Sequence, residues 1–197
     1  NVTGGKCIVC SDVGQHQMFI AQHFKFDRPR QWLNSGGLGT MGYGFPAAIG
    51  AQIALPNEKV CVISGDGSFQ MNSQELSTCL QYHLPLKIII MDNKALGNVK
   101  QWQDMFYGGR HSETILNDNP DFVKLAEAYG HVGMRILLPS ELHDGLAEAF
   151  SDKYKDKLVL IDIRIDPEEK VFPMQLGGGA MCDIRFSETE TTETERK

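Results

Sequence analysis

A carboxylate and a carboxamide stand at the ends of two consecutive apolar runs: Asp66, between Gly65 and Gly67, and Asn93, separated from Gly67 by 25 residues. Both offer hard oxygen ligands. Magnesium takes near-octahedral oxygen coordination and is commonly held by one or two side chains together with the phosphates of a ligand. The glycines beside Asp66 let a bulky diphosphate come close to the backbone. The N–H groups of Gly67 and Ser68 can point at its oxygens. Gly-Asp-Gly alone is an ordinary turn; Asn93, one strand–helix–strand unit later, makes it a ligand set. A second motif competes. Gly37-Leu38-Gly39-Thr40-Met41-Gly42 fits G-x-G-x-x-G, follows a strand and precedes a helix, with Asp66 near the place of a ribose-binding acid. That dinucleotide reading leaves Gly65, Gly67, the Asn93 loop and Gly14-Gln15-His16 without a role.

Other chemistry-bearing residues divide by context. His16 lies in a strand-end loop and is the histidine assigned a function; His23, His83, His131 and His143 read as surface or packing residues. His111 falls in a polar loop and is a candidate for the entrance of a site. Cys7 and Cys10 form C-x-x-C, but no second pair completes a zinc site and the run Lys6–Cys10 reads as a buried strand. They are expected to pack as small hydrophobes.

These side chains need a scaffold that gathers strand ends. Apolar runs at Cys7–Cys10, Gln31–Asn34, Val60–Ser64, Leu86–Met91, Val132–Ile136 and Leu158–Ile163 predict six strands, several continuous and β-branched as in sheets covered on both faces. Helices alternate with them. Pro46 marks the first turn of one running to about Leu55. Asn72 with Glu75 resembles a capping box, Asn119-Pro120 opens a helix stopped by Gly130, and Ser140 caps another. The pattern predicts an α/β fold: a six-stranded parallel sheet flanked by helices in three layers, with ligands beyond the carboxyl ends of the strands. Residues 108–119 form a long polar loop, a length usually kept for function or disorder. The expected organisation is one domain over residues 1–176 and a flexible tail over 177–197, from the glycine run at 177–179 to the Ser/Glu/Thr-rich end.

The net charge of −6 argues against a nucleic-acid surface. No apolar run reaches membrane-span length, and residues 1–6 lack the pattern of a signal peptide. Five scattered cysteines suit a reducing compartment, so a cytoplasmic location is expected.

The quoted motifs resemble a known family. Gly65-Asp66-Gly67 followed by Asn93 is similar to the thiamine-diphosphate motif, although that motif often ends Asn-Asn and this chain has Asp92 first. Val13-Gly14-Gln15-His16-Gln17-Met18, Ser35 through Gly44, Val99-Lys100-Gln101-Trp102-Gln103 and Asn119-Pro120-Asp121-Phe122 resemble acetohydroxyacid synthase (acetolactate synthase) catalytic subunits. The likeness runs from about Val13 to Met174. It implies the thiamine-diphosphate-binding fold. It implies that Asp66, the Asn93 side chain and the Ala95 main-chain oxygen bind Mg2+. Gln15 and His16 would contact the diphosphate, with Val13, Gly14, Gly65, Gly67, Ser68, Gly97, Asn98 and Val99 around the cofactor. Gly39 would accept from the 4′-amine, and Met41 would wedge between the two rings. Trp102 would line the second-substrate pocket. Asn98 stands where the family often has methionine, which changes the polarity of the pocket. The implied reaction condenses pyruvate with a second 2-ketoacid, pyruvate or 2-ketobutyrate, with loss of CO2, for the synthesis of valine, leucine and isoleucine. The resemblance further implies FAD in the intact enzyme, upstream pyrimidine-binding and FAD-binding domains outside this chain, a homodimer or tetramer and a small regulatory subunit. The fragment is expected to be inactive alone. A related thiamine-diphosphate enzyme, such as glyoxylate carboligase or pyruvate oxidase, and a non-catalytic nucleotide-binding module are the competing readings.

Overall fold

A computed structural model describes residues 2–175 and 180–188. Six strands, β1 (Ile8–Ser11), β2 (Trp32–Leu33), β3 (Val60–Gly65), β4 (Lys87–Asp92), β5 (Val132–Ile136) and β6 (Val159–Arg164), form one sheet in the order β2-β1-β3-β4-β6-β5, every pairing parallel. Each predicted strand is present, with its ends within one residue of those expected. From β1 the chain moves outward to β2 and then returns to place β3 on the other side of β1. That reversal opens a crevice at the carboxyl ends of β1 and β3.

Helices α1 (Gln15–His23), α2 (Gly44–Ala54), α3 (Asp66–Gln70), α4 (Leu76–Gln81), α5 (Gly97–Phe106), α6 (Phe122–Ala128) and α7 (Leu142–Ala149) fill the connections. Alternate strand residues face opposite layers. Ile8, Cys10, Val62, Ile88, Ile90 and Leu160 pack with Phe45 and Ala48 of α2, Leu76 and Cys79 of α4 and Phe122 of α6. Phe69 of α3 sits between Phe45 and Phe122, with ring centroids 5.5 and 5.9 Å away. On the other face Val159, Ile161 and Ile163 pack with Ile136, Leu146, Ala149 and Phe150. Cys7, Cys10, Cys61 and Cys79 are free and buried, as expected of packing thiols, and burial pushes the Cys10 and Cys79 thiols up to about 12. No helix among the described residues is long and apolar enough to cross a membrane.

Three helix starts differ from expectation. Asn72 and Glu75 form no capping box. The Asn72 amide instead donates to Gly42 O at 2.7 Å, and a 3-10 turn at Ser73–Glu75 precedes α4. Asp121 caps α6 through the Val123 and Lys124 N–H groups, which leaves Asn119 free for another role. Ahead of α7 lies a 3-10 turn at Pro139–Glu141, where the Glu141 carboxylate accepts from Leu137 N and Leu138 N and Ser140 caps nothing. Beyond β6 a two-stranded antiparallel pair, β7 (Met174–Gln175) with β8 (Ile184–Arg185), replaces any further strand–helix unit. The glycine run at 177–179 and residues 189–197 of the expected tail lie outside the described residues.

Candidate functional site

Four loops meet at the carboxyl ends of β1 to β4 around a cavity of about 880 Å³. From the β1 end come Val13, Gly14, Gln15 and His16; from the loop after β2 come Gly39 and Met41; from the β3 end come Gly65, Asp66, Gly67 and Ser68; from the β4 end come Asn93, Ala95, Gly97, Asn98 and Val99. Every residue that the sequence placed around the cofactor therefore stands on one wall. Trp102 does not: it lies on α5, 46% exposed, away from the lining. His111 is also off the wall, with Nε2 2.6 Å from Asp104 Oδ1. The cavity continues over an apolar floor of Ile63, Ile89, Met91 and Ile163 that motif reading did not reveal.

Asp66 opens α3 and is 1% exposed. The Asn119 amide donates to Asp66 Oδ2 at 2.6 Å and to Asp92 Oδ1 at 3.2 Å. Burial, reinforced by the nearby Asp92 carboxylate, pushes the Asp66 carboxyl up to about 6, and no basic side chain pairs with it among the described residues. Asp92 has its own cation, Arg164 at 3.1 Å, which accounts for how the chain accepts a carboxylate at a position the motif often fills with asparagine. A buried carboxylate held by neutral donors, the Asn119 amide and the Gly67 N–H, is an electrostatic deficit that a divalent cation would correct. Asn93, 7% exposed, directs its Nδ2 at Gln15 Oε1, 3.4 Å away, and its Oδ1 accepts from Ala95 N at 3.1 Å. Carboxylate, amide oxygen and main-chain carbonyl make the hard oxygen set that magnesium prefers. Among the described residues no group of three His, Cys, Asp or Glu side chains comes together to hold a metal ion.

Close packing explains two glycines. A Cβ on Gly67 would collide with Leu96 and press on Leu116, and one on Gly97 would collide with the amides of Gln15 and Asn93. His16 is held through its ring. Gly65 N donates to its Nε2 at 3.2 Å, and burial lowers the imidazole to about 4, so the ring is neutral and its Nε2 is taken. The Ser68 hydroxyl likewise donates inward, to Val13 O at 2.9 Å. Their main-chain groups remain for a diphosphate. Asn98 Oδ1 is buried without a hydrogen-bond partner among the described residues.

Motif reading gave no site role to Asn119 and Gln101, although both lie in the quoted motifs, or to Asp12. The buried Asp12 carboxylate accepts from Val13 N (2.9 Å), Gly42 N (2.8 Å) and Gly44 N (3.1 Å), tying the Gly39–Met41 loop to β1. Its position at the end of the first strand was the available signal. The same bonds argue against the dinucleotide reading. A pyrophosphate on that motif would need the amides at the start of α2, and Asp12 already occupies two N–H groups there, Gly42 N and Gly44 N; Leu38, inside the motif, is 93% exposed.

Comparison with known proteins agrees with this geometry. Residues 12–163 match the family model described as thiamine pyrophosphate enzyme, C-terminal TPP binding domain, thiamine pyrophosphate being thiamine diphosphate. The chain is 55% identical over 191 residues to the acetolactate synthase isozyme 3 large subunit of Escherichia coli, covering 97% of this chain and 33% of that protein. It is 57% identical over 189 residues to the acetolactate synthase large subunit of Haemophilus influenzae, covering 96% of this chain and 33% of that one. The isozyme 2 large subunit of Escherichia coli is 49% identical over 178 residues. The chain thus spans about a third of the length of these relatives. A parallel sheet whose strand ends gather a carboxylate, an amide and a glycine-lined crevice, matched by one family model over most of its length, belongs to the C-terminal TPP-binding domains of thiamine pyrophosphate enzymes.

Proposed function

We propose that this chain is the cofactor-holding portion of an acetolactate synthase large subunit and that it binds thiamine diphosphate through Mg2+. The observation that carries the reading is Asp66: a buried carboxylate with no basic side chain beside it among the described residues, on the same wall as Asn93 and Ala95. Asp66, Asn93 Oδ1 and Ala95 O would hold the metal. The Gly67-Ser68 amides and the Gln15-His16 turn would face the diphosphate, and Gly39 and Met41, fixed by Asp12, would meet the pyrimidine. Val13, Gly14, Gly65, Gly97, Asn98 and Val99 would shape the rest of the cradle. The cofactor supplies the electron sink for decarboxylating one 2-ketoacid and joining its remainder to another. The chain's own part is to bind, orient and exclude water.

The full reaction, from pyruvate with pyruvate or 2-ketobutyrate as second ketoacid, in the synthesis of branched-chain amino acids, is proposed for the longer polypeptide that the relatives' length points to. So are FAD, the pyrimidine-binding and FAD-binding domains, assembly as dimer or tetramer with a small regulatory subunit, and a cytoplasmic setting, which four buried free thiols fit. Trp102, off the cavity wall here, would line the second-ketoacid pocket once other parts of the enzyme stand against α5. The purified 197-residue chain is expected to bind thiamine diphosphate in calorimetry only when Mg2+ is present, to ignore NAD, and to form no acetolactate. NAD binding in place of thiamine diphosphate would overturn the cofactor assignment, and steady acetolactate formation would overturn the requirement for further domains.

A further inference from the structure

Gln101 touches neither the cavity nor the proposed metal ligands, yet it is 2% exposed and fully hydrogen-bonded. Its Oε1 accepts from Gln15 Nε2 at 2.9 Å and from Val171 N at 3.0 Å, and its Nε2 donates to Val171 O at 3.1 Å. Gln15 Nε2 also donates to Glu169 O at 3.0 Å, and Gln15 Oε1 faces Asn93 Nδ2 at 3.4 Å. The run is therefore Val171 main chain, Gln101, Gln15, Asn93, linking residues 70, 86 and 78 positions apart. Each member is buried, and Gly97, lacking a Cβ, leaves the passage through which Gln15 reaches Asn93.

The two ends of a carboxamide are nearly equal in size, so only their hydrogen-bond partners decide which way it points. A metal accepts the oxygen and not the NH2. The Val171 main chain cannot reverse its donor and acceptor, so it fixes the direction of Gln101. Gln101, together with the Glu169 main-chain oxygen, fixes Gln15, and Gln15 Oε1, able only to accept, claims Asn93 Nδ2 on the side opposite the Ala95 N–H that meets Asn93 Oδ1. We propose that Gln101 is a positioning residue that, through Gln15, turns the oxygen of Asn93 toward the metal. The inference rests on the proposed magnesium site and adds to it a residue remote from the ligands.

The test compares Mg2+ half-saturation, read by calorimetry at saturating thiamine diphosphate, in four forms of the full chain: unsubstituted, Gln101→Leu, Asn93→Asp and the double variant. A carboxylate at 93 has two equivalent oxygens and needs no orientation. Gln101→Leu is expected to raise half-saturation roughly 10–100-fold in the Asn93 background, the usual scale for losing a partner behind a metal ligand. In the Asn93→Asp background the rise should be less than about threefold. If Gln101→Leu does not fold, Gln101→Met keeps the length and apolar volume and replaces it. An equal rise in both backgrounds, or a lowered Tm with unchanged half-saturation, would mean that Gln101 only supports the fold, and would overturn the proposal. Absence of Mg2+-dependent binding in the unsubstituted chain would overturn the site reading itself, and this inference with it.

Discussion

Asn119 acts on two carboxylates at once. It bridges Asp66 at 2.6 Å and Asp92 at 3.2 Å, holding two buried carboxylates in place. Asn119→Ala should therefore weaken Mg2+ binding roughly 10-fold or more, measured by calorimetry with thiamine diphosphate present; unchanged affinity would reduce Asn119 to a helix-flanking residue. Asp66 and Asn93 were legible in sequence because their chemistry is tied to a fixed spacing at strand ends. Asn119 was not, because it lies 53 residues from Asp66 and reaches it only through tertiary packing; locally it looks like a helix cap. His16 gives a second prediction. Burial lowers its folded value to about 4 from the ordinary 6.5. A depressed folded value means that the contribution is fully present above 6.5 and is lost as pH falls toward about 4. The loss is about 3 kcal/mol. Asp66 shifts in the opposite sense, so the comparison is with His16→Gln, which leaves Asp66 in both proteins. Urea unfolding should show the unsubstituted chain losing that amount relative to the variant between pH 6.5 and 4; parallel pH profiles would mean that His16 is not held neutral.

At the scale of elements, the stretch from 108 to 119 read as functional or disordered, and the structure pins its centre to the turn after β4. Leu96 N donates to Thr114 O and Leu116 N to Lys94 O, both at 2.8 Å, while the buried Thr114 hydroxyl donates to Gln103 Oε1 at 2.7 Å. Through this loop α5 is fastened to the Asn93–Gly97 turn that carries the proposed metal ligands. Thr114→Val should destabilise the chain by about 1 kcal/mol, seen as a lowered Tm, and should leave the stoichiometry of cofactor binding unchanged. Strands were the most legible elements because continuous β-branched runs such as Val60–Ile63 have few other uses. Helix starts were the least legible. A carboxylate one or two positions away, as at Asp121 and Glu141, can displace the residue that local pattern favours. Val99, Trp102 and Phe106 form an exposed stripe along α5 at 46, 46 and 45%. In the longer enzyme, Trp102→Leu is expected to shift the product ratio toward the smaller second ketoacid, an effect of about 1–3 kcal/mol in discrimination; an unaltered ratio would remove Trp102 from the pocket.

The molecule as a whole is a sheet whose reversal of strand order at β1 and β3 makes the crevice, with Phe69 joining the site to the core. Phe69 belongs to the same short helix as Asp66 and packs against Phe45 and Phe122. Phe69→Ala should cost about 3–5 kcal/mol in urea unfolding and lower cofactor affinity with it. The fold class was legible from strand–helix alternation, and the apolar floor beneath the site was not, since those isoleucines read the same whether a helix covers them or a cavity does. The central claim is that Asp66 is the anchor of a magnesium–diphosphate site. It is tested most directly by calorimetric titration of thiamine diphosphate into the chain, into Asp66→Ala and into Asn93→Ala, each with Mg2+ and again with EDTA. Binding that needs Mg2+, is abolished by Asp66→Ala and is weakened by Asn93→Ala is the expected result; binding by Asp66→Ala as tight as that of the unsubstituted chain, or binding that survives EDTA, would contradict it.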